Sequence, residues 1–182
     1  MTIAAFLAWE ERQELRWEFD GFEPVAMTGG SNAREMIGNN LRALLLSALR
    51  GKPCGVRGPT LKIEVAGRIR YPDAFVFCSA AAPGQTVIRD PVVVFEVLSP
   101  STSRIDRIEK LREYQSTPSI KRYVILEQNA IAATIYLKQG KAWTVSVLTE
   151  GAMLTMPEIA ADIPLSEVSL DVEFSEQDVA EA

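Results

Sequence analysis

Two carboxylates stand where strands leave little room for charge. In "YPDAFVFC", Asp73 follows Pro72 and opens an apolar run ending at Cys78; in "PVVVFEVLSPST", Glu96 interrupts Val92, Val93, Val94 and Phe95 before Val97 and Leu98 resume. A continuous apolar run marks a strand buried on both faces. Burial of an unpaired carboxylate is costly, so Glu96 needs a cation, a metal or a hydrogen-bond network. If "AAAPGQ" is the loop and Cys78 lies opposite Pro91, an antiparallel register sets Asp73 opposite Glu96. Cross-strand neighbours are about 5 Å apart at Cβ, where like charges repel unless something positive lies between them. A divalent cation is the natural candidate, since hard Mg²⁺ prefers one or two carboxylates, a carbonyl and waters. On this reading mutual repulsion destabilises the metal-free fold, and Asp73→Asn without metal is no less stable than the parent. The plainer alternative has Asp73 merely opening a strand and Glu96 paired with an Arg, and one slip of register would put the two on opposite faces.

The elements that would carry them are legible in outline. Asp20-Gly21 signals a tight turn between "RWEF" and "FEPVAM", a hairpin with Trp17 and Phe19 on one face and Glu18 on the other. "TGGSNA" reads as a loop and Ser31 as the N-cap of a helix whose Met36, Ile37, Leu41, Leu44, Leu45 and Ala48 recur at helical spacing until Gly51 and Pro53. "TLKIEV" alternates as a half-buried strand. After Glu96, "SPSTS" supplies cap residues for a helix through "RIDRIEKLREY". Ile105, Ile108 and Leu111 form its apolar side, and Asp106, Lys110 and Tyr114 a stripe roughly opposite. Spacing alone favours a solvated stripe with an Asp-to-Lys pair. The functional alternative has it line the cleft beside Asp73 and Glu96 and deliver an ammonium there.

The chain has 182 residues, 47% of them hydrophobic, enough for one well-buried domain. Strand-like runs near 16–27, 60–66, 73–78, 91–98, 121–126, 131–137 and 142–148 surround two clear helices, which favours a mixed α/β (α+β) core. "MTIAAFLAWEERQ" reads as a short amphipathic helix rather than an export signal, and no stretch approaches membrane-spanning length. Cys54 and Cys78 form no CxxC motif and read as reduced structural thiols, so the expected compartment is cytoplasmic. Net charge is −5, yet from Ala142 onward there are nine acidic residues and no Lys or Arg, leaving all 19 basic residues against 15 acidic ones in residues 1–141. That mildly basic body permits contact with a polyanion without demanding it.

Taken in order, "FLAWEERQELRWEFDGFEPVAM", "LKIEVAGRIRYPDAFVFC", "PVVVFEVLSPSTSRIDRIEKLREYQSTPSIKRYVIL" and "WTV" resemble the Uma-two family of restriction endonucleases, within the PD-(D/E)XK nuclease superfamily. The resemblance spans about residues 1–170, which are expected as one nuclease domain, with 171–182 an acidic tail. It implies a restriction-endonuclease-like core, a central mixed β-sheet flanked by helices, with Asp73 and Glu96 holding Mg²⁺ (or Mn²⁺) for phosphodiester hydrolysis on DNA. The superfamily lysine usually lies two residues after the Glu, where this chain has Leu98. Lys110 is then the first choice for the ammonium and Lys62 the second, with Glu18 an auxiliary acidic ligand. As an exposed helix residue Lys110 should be replaceable at a cost within about 0.5 kcal/mol. Many relatives carry a His early in the first long helix and an acidic residue before "LKIEV", where this chain has Arg34 and Thr60. A homodimer suits cleavage of both strands, and no organic cofactor is implied. The competing class is a catalytically silent DNA- or protein-binding module.

Overall fold

The structure is a computed structural model, and it describes residues 1–27, 29–98 and 104–174, without the side chains of 104–106. The expected cap segment "SPSTS" and the end of the acidic tail lie outside the described residues. The order is α1 (Ile3–Glu10), β1 (Trp17–Phe19), β2 (Pro24–Ala26), α2 (Asn32–Ala48), β3 (Gly55–Arg57), β4 (Lys62–Val65), β5 (Arg68–Arg70), β6 (Ala74–Phe77), β7 (Val87–Ile88), β8 (Pro91–Leu98), α3 (Arg104–Ser116), β9 (Arg122–Glu127), β10 (Ala132–Gln139), β11 (Ala142–Thr149), β12 (Met153–Met156), β13 (Ala161–Pro164) and α4 (Leu165–Val168). This is the expected mixed α+β architecture of central sheets flanked by helices.

Six strands form one sheet in the order β11-β10-β9-β8-β6-β3. Only β8 and β9 run parallel in it, because α3 returns the chain between them, as a parallel crossover requires. The central strand β8 is buried along nearly its whole length, and its side chains alternate between two cores. Val93, Phe95 and Val97 pack with Ile37, Leu41 and Leu45 of α2; Val94 and Leu98 pack with Phe75, Tyr114 and Tyr123 on the other face. Alternation assigns Glu96 to this second face. A second sheet, β2-β1-β5-β4-β7, carries Glu18 and Arg70.

Local chemistry explains several of these elements. The Ser31 hydroxyl accepts from Arg34 N at 3.1 Å, capping α2. Asp20 Oδ1 accepts from the backbone N–H groups of Phe22 and Glu23, and Gly21 takes φ +98°, so β1 and β2 pair as the expected hairpin. Strand β5 escaped the sequence reading. It follows a two-residue turn at Ala66 and Gly67, both at positive φ, the geometry that suits the twist of a hairpin.

The register between β6 and β8 holds at the end that matters. Ala74 pairs with Phe95 and Val76 with Val93, the register that points Asp73, one residue before β6, toward Glu96. At the other end the expectation is off by one: Phe77, not Cys78, pairs with Pro91, because a bulge inserts Val92 as an extra residue on β8. "AAAPGQ" is indeed loop, and after it Val87 and Ile88 leave to pair in parallel with β4 before β8 begins. Cys54 and Cys78 are not separate thiols. The pairing of Gly55 with Phe77 brings them side by side, and they form a disulfide. No helix among the described residues is long and apolar enough to cross a membrane.

Candidate active site

Pro72 fixes its own φ and biases Tyr71 before it toward extended backbone, and Asp73 follows immediately ahead of β6. Its carboxylate is not left to face Glu96 alone. Arg34, in the first turn of α2, donates Nε to Oδ1 and Nη2 to Oδ2, both at 3.0 Å, and Val97 N donates to Oδ2 at 2.7 Å. Arg42 Nη1 donates to the Asp73 carbonyl at 2.9 Å. The expectation that Asp73→Asn would be harmless without metal is therefore corrected. The charge at position 73 is compensated, and an amide would break half of the fork.

Glu96 has 0% exposure. Its Oε1 accepts from Tyr114 Oη at 2.8 Å and from Lys110 Nζ at 3.2 Å, whereas Oε2 is buried with no hydrogen-bond partner among the described residues. Burial, reinforced by the charges of Asp73 and Glu18 and opposed by Lys110 and the Tyr114 hydroxyl, pushes the Glu96 carboxyl up to about 7. The cation that Glu96 requires is thus an ammonium from the next helix. The reading of a solvated stripe on α3 is overturned: Lys110 and Tyr114 are buried, while Ile108, expected on the apolar side, is 39% exposed. Tyr114 Oη, buried and donating to a carboxylate, is held well above the ordinary phenol range. Helical spacing defines a face, but only the sheet beneath decides which face is covered.

A further layer fixes this arrangement. Glu18 accepts from Tyr71 N through Oε1 and from Arg70 Nη1 through Oε2, both at 3.0 Å. Burial would raise its carboxyl, but the charges of Lys110 and Arg70 and the Tyr71 bond outweigh it and hold Glu18 low. Arg70 also forks onto Glu113 of α3, Nε to Oε2 at 2.8 Å and Nη2 to Oε1 at 2.6 Å. Arg70 therefore ties β1 and β5 to α3 directly behind Lys110 and Tyr114. Replacing it with Lys keeps the charge but cannot reproduce three directed bonds. Arg70→Lys should cost about 2 kcal/mol in urea unfolding, and a loss under half of that would mean that Glu18 and Glu113 are served by water instead.

The remaining sequence candidates fall elsewhere. Lys62 is buried with its ammonium 2.5 Å from Glu10 Oε2, and Tyr71 Oη donates to Glu10 Oε1. Lys62 thus neutralises a different carboxylate. Leu98 is core, packed in the cluster of Tyr114 and Phe75. The expectation of Glu18 as an auxiliary metal ligand meets a side chain whose two oxygens already have donors. Among the described residues no group of three or more His, Cys, Asp or Glu could hold a metal ion. What would fit a cation is the pair itself: Glu96 Oε2, buried and without a partner among the described residues, together with the Asp73 carboxylate, two carboxylates being a protein donor set that Mg²⁺ accepts. A cavity of about 380 Å³, lined by Arg16, Ser31, Arg34, Pro59 and Tyr71, reaches Asp73 from the surface. Sequence reasoning missed Arg34, Arg70 and Glu113 as partners. Only "RIR", directly after the Gly67 turn, hinted at two cations on one strand face.

Comparison with known proteins agrees with this fold. A crystal structure described as a "putative nuclease belonging to DUF820" from Anabaena variabilis superposes with a TM-score of 0.75, covering 93% of this chain and 97% of that one at 14% identity, a likeness of fold. The uncharacterized protein slr1290 of Synechocystis is 34% identical over 136 residues, 73% of this chain and 72% of the relative. A second Synechocystis protein, sll1609, is 24% identical over 154 residues, 81% of this chain and 87% of that one. Residues 3–170 match the family described as "Uma2: Putative restriction endonuclease". The chain belongs to the Uma2 family.

Proposed function

We propose that the protein is a divalent-metal-dependent endonuclease that hydrolyses DNA phosphodiester bonds at the Asp73/Glu96 pair. The observation that carries this reading is Glu96 Oε2, a buried carboxylate oxygen without a donor among the described residues, on a strand whose register with β6 points Asp73 toward it. A chain retains such an atom at considerable cost, and strongly perturbed carboxylates concentrate at functional sites. Asp73 and Glu96 would hold the cation, Mg²⁺ or Mn²⁺. When bound, it supplies Lewis acidity toward a phosphate oxygen and lowers the pKa of water.

The protein's own groups do the rest. Lys110 and Tyr114 grip Glu96 through Oε1 and so leave Oε2 for the cation side. The Lys110 ammonium, short of the surface, offsets negative charge on a phosphate brought close, the role that Leu98 cannot fill. Arg16 and Arg34 line the cavity that reaches Asp73, giving a polyanion a basic approach. The test is direct. Purified protein with supercoiled plasmid and Mg²⁺ or Mn²⁺ should give nicked circles that EDTA suppresses. Intact plasmid under every cation, over a wide protein range, would sink the proposal.

Arg34 and Leu98 favour a second reading, a silent module that keeps the fold and binds DNA or protein. It predicts DNA retention that is indifferent to divalent metal and unaffected by Asp73→Asn. For the active reading a homodimer is the economical arrangement for cutting both strands, and light scattering at 20 kDa alone would remove it.

A further inference from the structure

Arg34 and a cation would need the same carboxylate. The guanidinium spans both Asp73 oxygens in plane, and Val97 N takes a further lone pair on Oδ2, so little of Asp73 is left for a third partner. We propose that Arg34 is a latch: its guanidinium occupies Asp73 in the metal-free protein and must swing out before a divalent ion can be held between Asp73 and Glu96. The inference rests on the reading of that pair as the cation site, and it concerns how the site is switched on.

Two features support a moving Arg34 rather than a fixed one, and a third shows how the latched position is accommodated. Its side chain is 32% exposed, against 11% for Asp73, so the head can reach water without unfolding anything. It borders the 380 Å³ cavity, which gives it somewhere to go. Its stem lies over Gly30, where a Cβ would come within 3.1 Å of Arg34 Cδ, so the glycine leaves room for the latched conformation. Arg42 is the contrast. Its Nη1 grips the Asp73 backbone carbonyl and its Nη2 is tied to Asn39 and Glu35 on its own helix, an arrangement that holds the strand and leaves the carboxylate alone.

Competition has a measurable sign. Titration calorimetry of the full chain with MnCl₂, in the absence of DNA, should show Arg34→Gln binding at least tenfold tighter than the parent. Removing a positive charge would tighten binding somewhat even without a latch, so Arg34→Lys is the deciding variant. It keeps the charge, but one ammonium cannot span both oxygens. With a latch it binds Mn²⁺ several-fold tighter than the parent; with a mere field effect it matches the parent, and the latch is overturned. Failure of the parent and of both variants to bind Mn²⁺ also overturns it. If Arg34→Gln does not fold, Arg34→Lys alone decides. The nuclease reading fails separately: tighter Mn²⁺ binding without plasmid nicking keeps the latch and removes the nuclease, whereas nicking with unchanged Mn²⁺ affinity does the opposite.

Discussion

Glu96→Gln should make the metal-free protein more stable and abolish every response to metal. Folded Glu96 binds its proton more tightly than the unfolded chain does, since burial lifts its carboxyl from 4.5 to about 7. Its contribution to stability is therefore complete below about pH 4.5 and is lost as pH rises through about 7. At pH 8 the ionised carboxylate costs on the order of 3 kcal/mol, and an amide, which never ionises, removes that cost. Urea unfolding should thus show parent and variant alike at pH 5, with the variant ahead by about 3 kcal/mol at pH 8. Mn²⁺ at a hundredfold excess over its dissociation constant should stabilise the parent by about 2.7 kcal/mol and leave the variant unmoved. Plasmid nicking should disappear with it. Residues kept at a cost in stability are the ones a site needs. If Glu96→Gln proves less stable than the parent at pH 8, Glu96 is a structural carboxylate, content with Lys110 and Tyr114, and the case for a cation falls.

Lys110→Met should do the reverse. Lys110 is 7% exposed and supplies the charge nearest Glu96, so its loss strands a buried carboxylate with only the Tyr114 hydroxyl. The parent already bears most of the cost of an ionised Glu96 at pH 8, and uptake of a proton caps the further loss without the ammonium at about 1.4 kcal/mol, still above the cost expected of an exposed helix lysine. The penalty carries its own signature. Without Lys110 the Glu96 carboxyl rises further, so it is protonated at pH 5 and no longer misses the ammonium. The parent carboxyl, at about 7, is itself protonated at pH 5, so the cost should be present at pH 8 and mostly gone at pH 5. Glu18, which Lys110 also holds low, loses part of its support in the same variant. A uniform cost at both pH values would mean that Lys110 matters through its aliphatic stem, by packing rather than by charge.

Much of the molecule was determined by local sequence. The Asp-Gly hairpin, the Ser31 cap, the apolar stripe of α2 and the anomalous charge in β8 each follow from interactions within a few residues, and the structure has each of them. The register of β6 on β8 up to Ala74 and Phe95 also followed, because period-two alternation and an antiparallel partner leave few registers. The Val92 bulge, invisible in the residues, disturbs only the far end. Family membership was equally legible, carried by separated motifs in fixed order.

What each charge touches was decided by the tertiary structure alone. The polar stripe of α3 looked solvated because helical periodicity describes one surface, whereas burial depends on the sheet that lies against it. Arg34 lies 39 positions before Asp73, and Arg70 lies 43 before Glu113, so nothing local links them. The same holds for Cys54 and Cys78, which met only because β3 lies beside β6. Electrostatic partnership is a property of distance in space, and a chain acquires those distances only when its sheets and helices have packed. The sequence could therefore name the carboxylates that need a cation, and the fold chose Lys110 for one and Arg34 for the other.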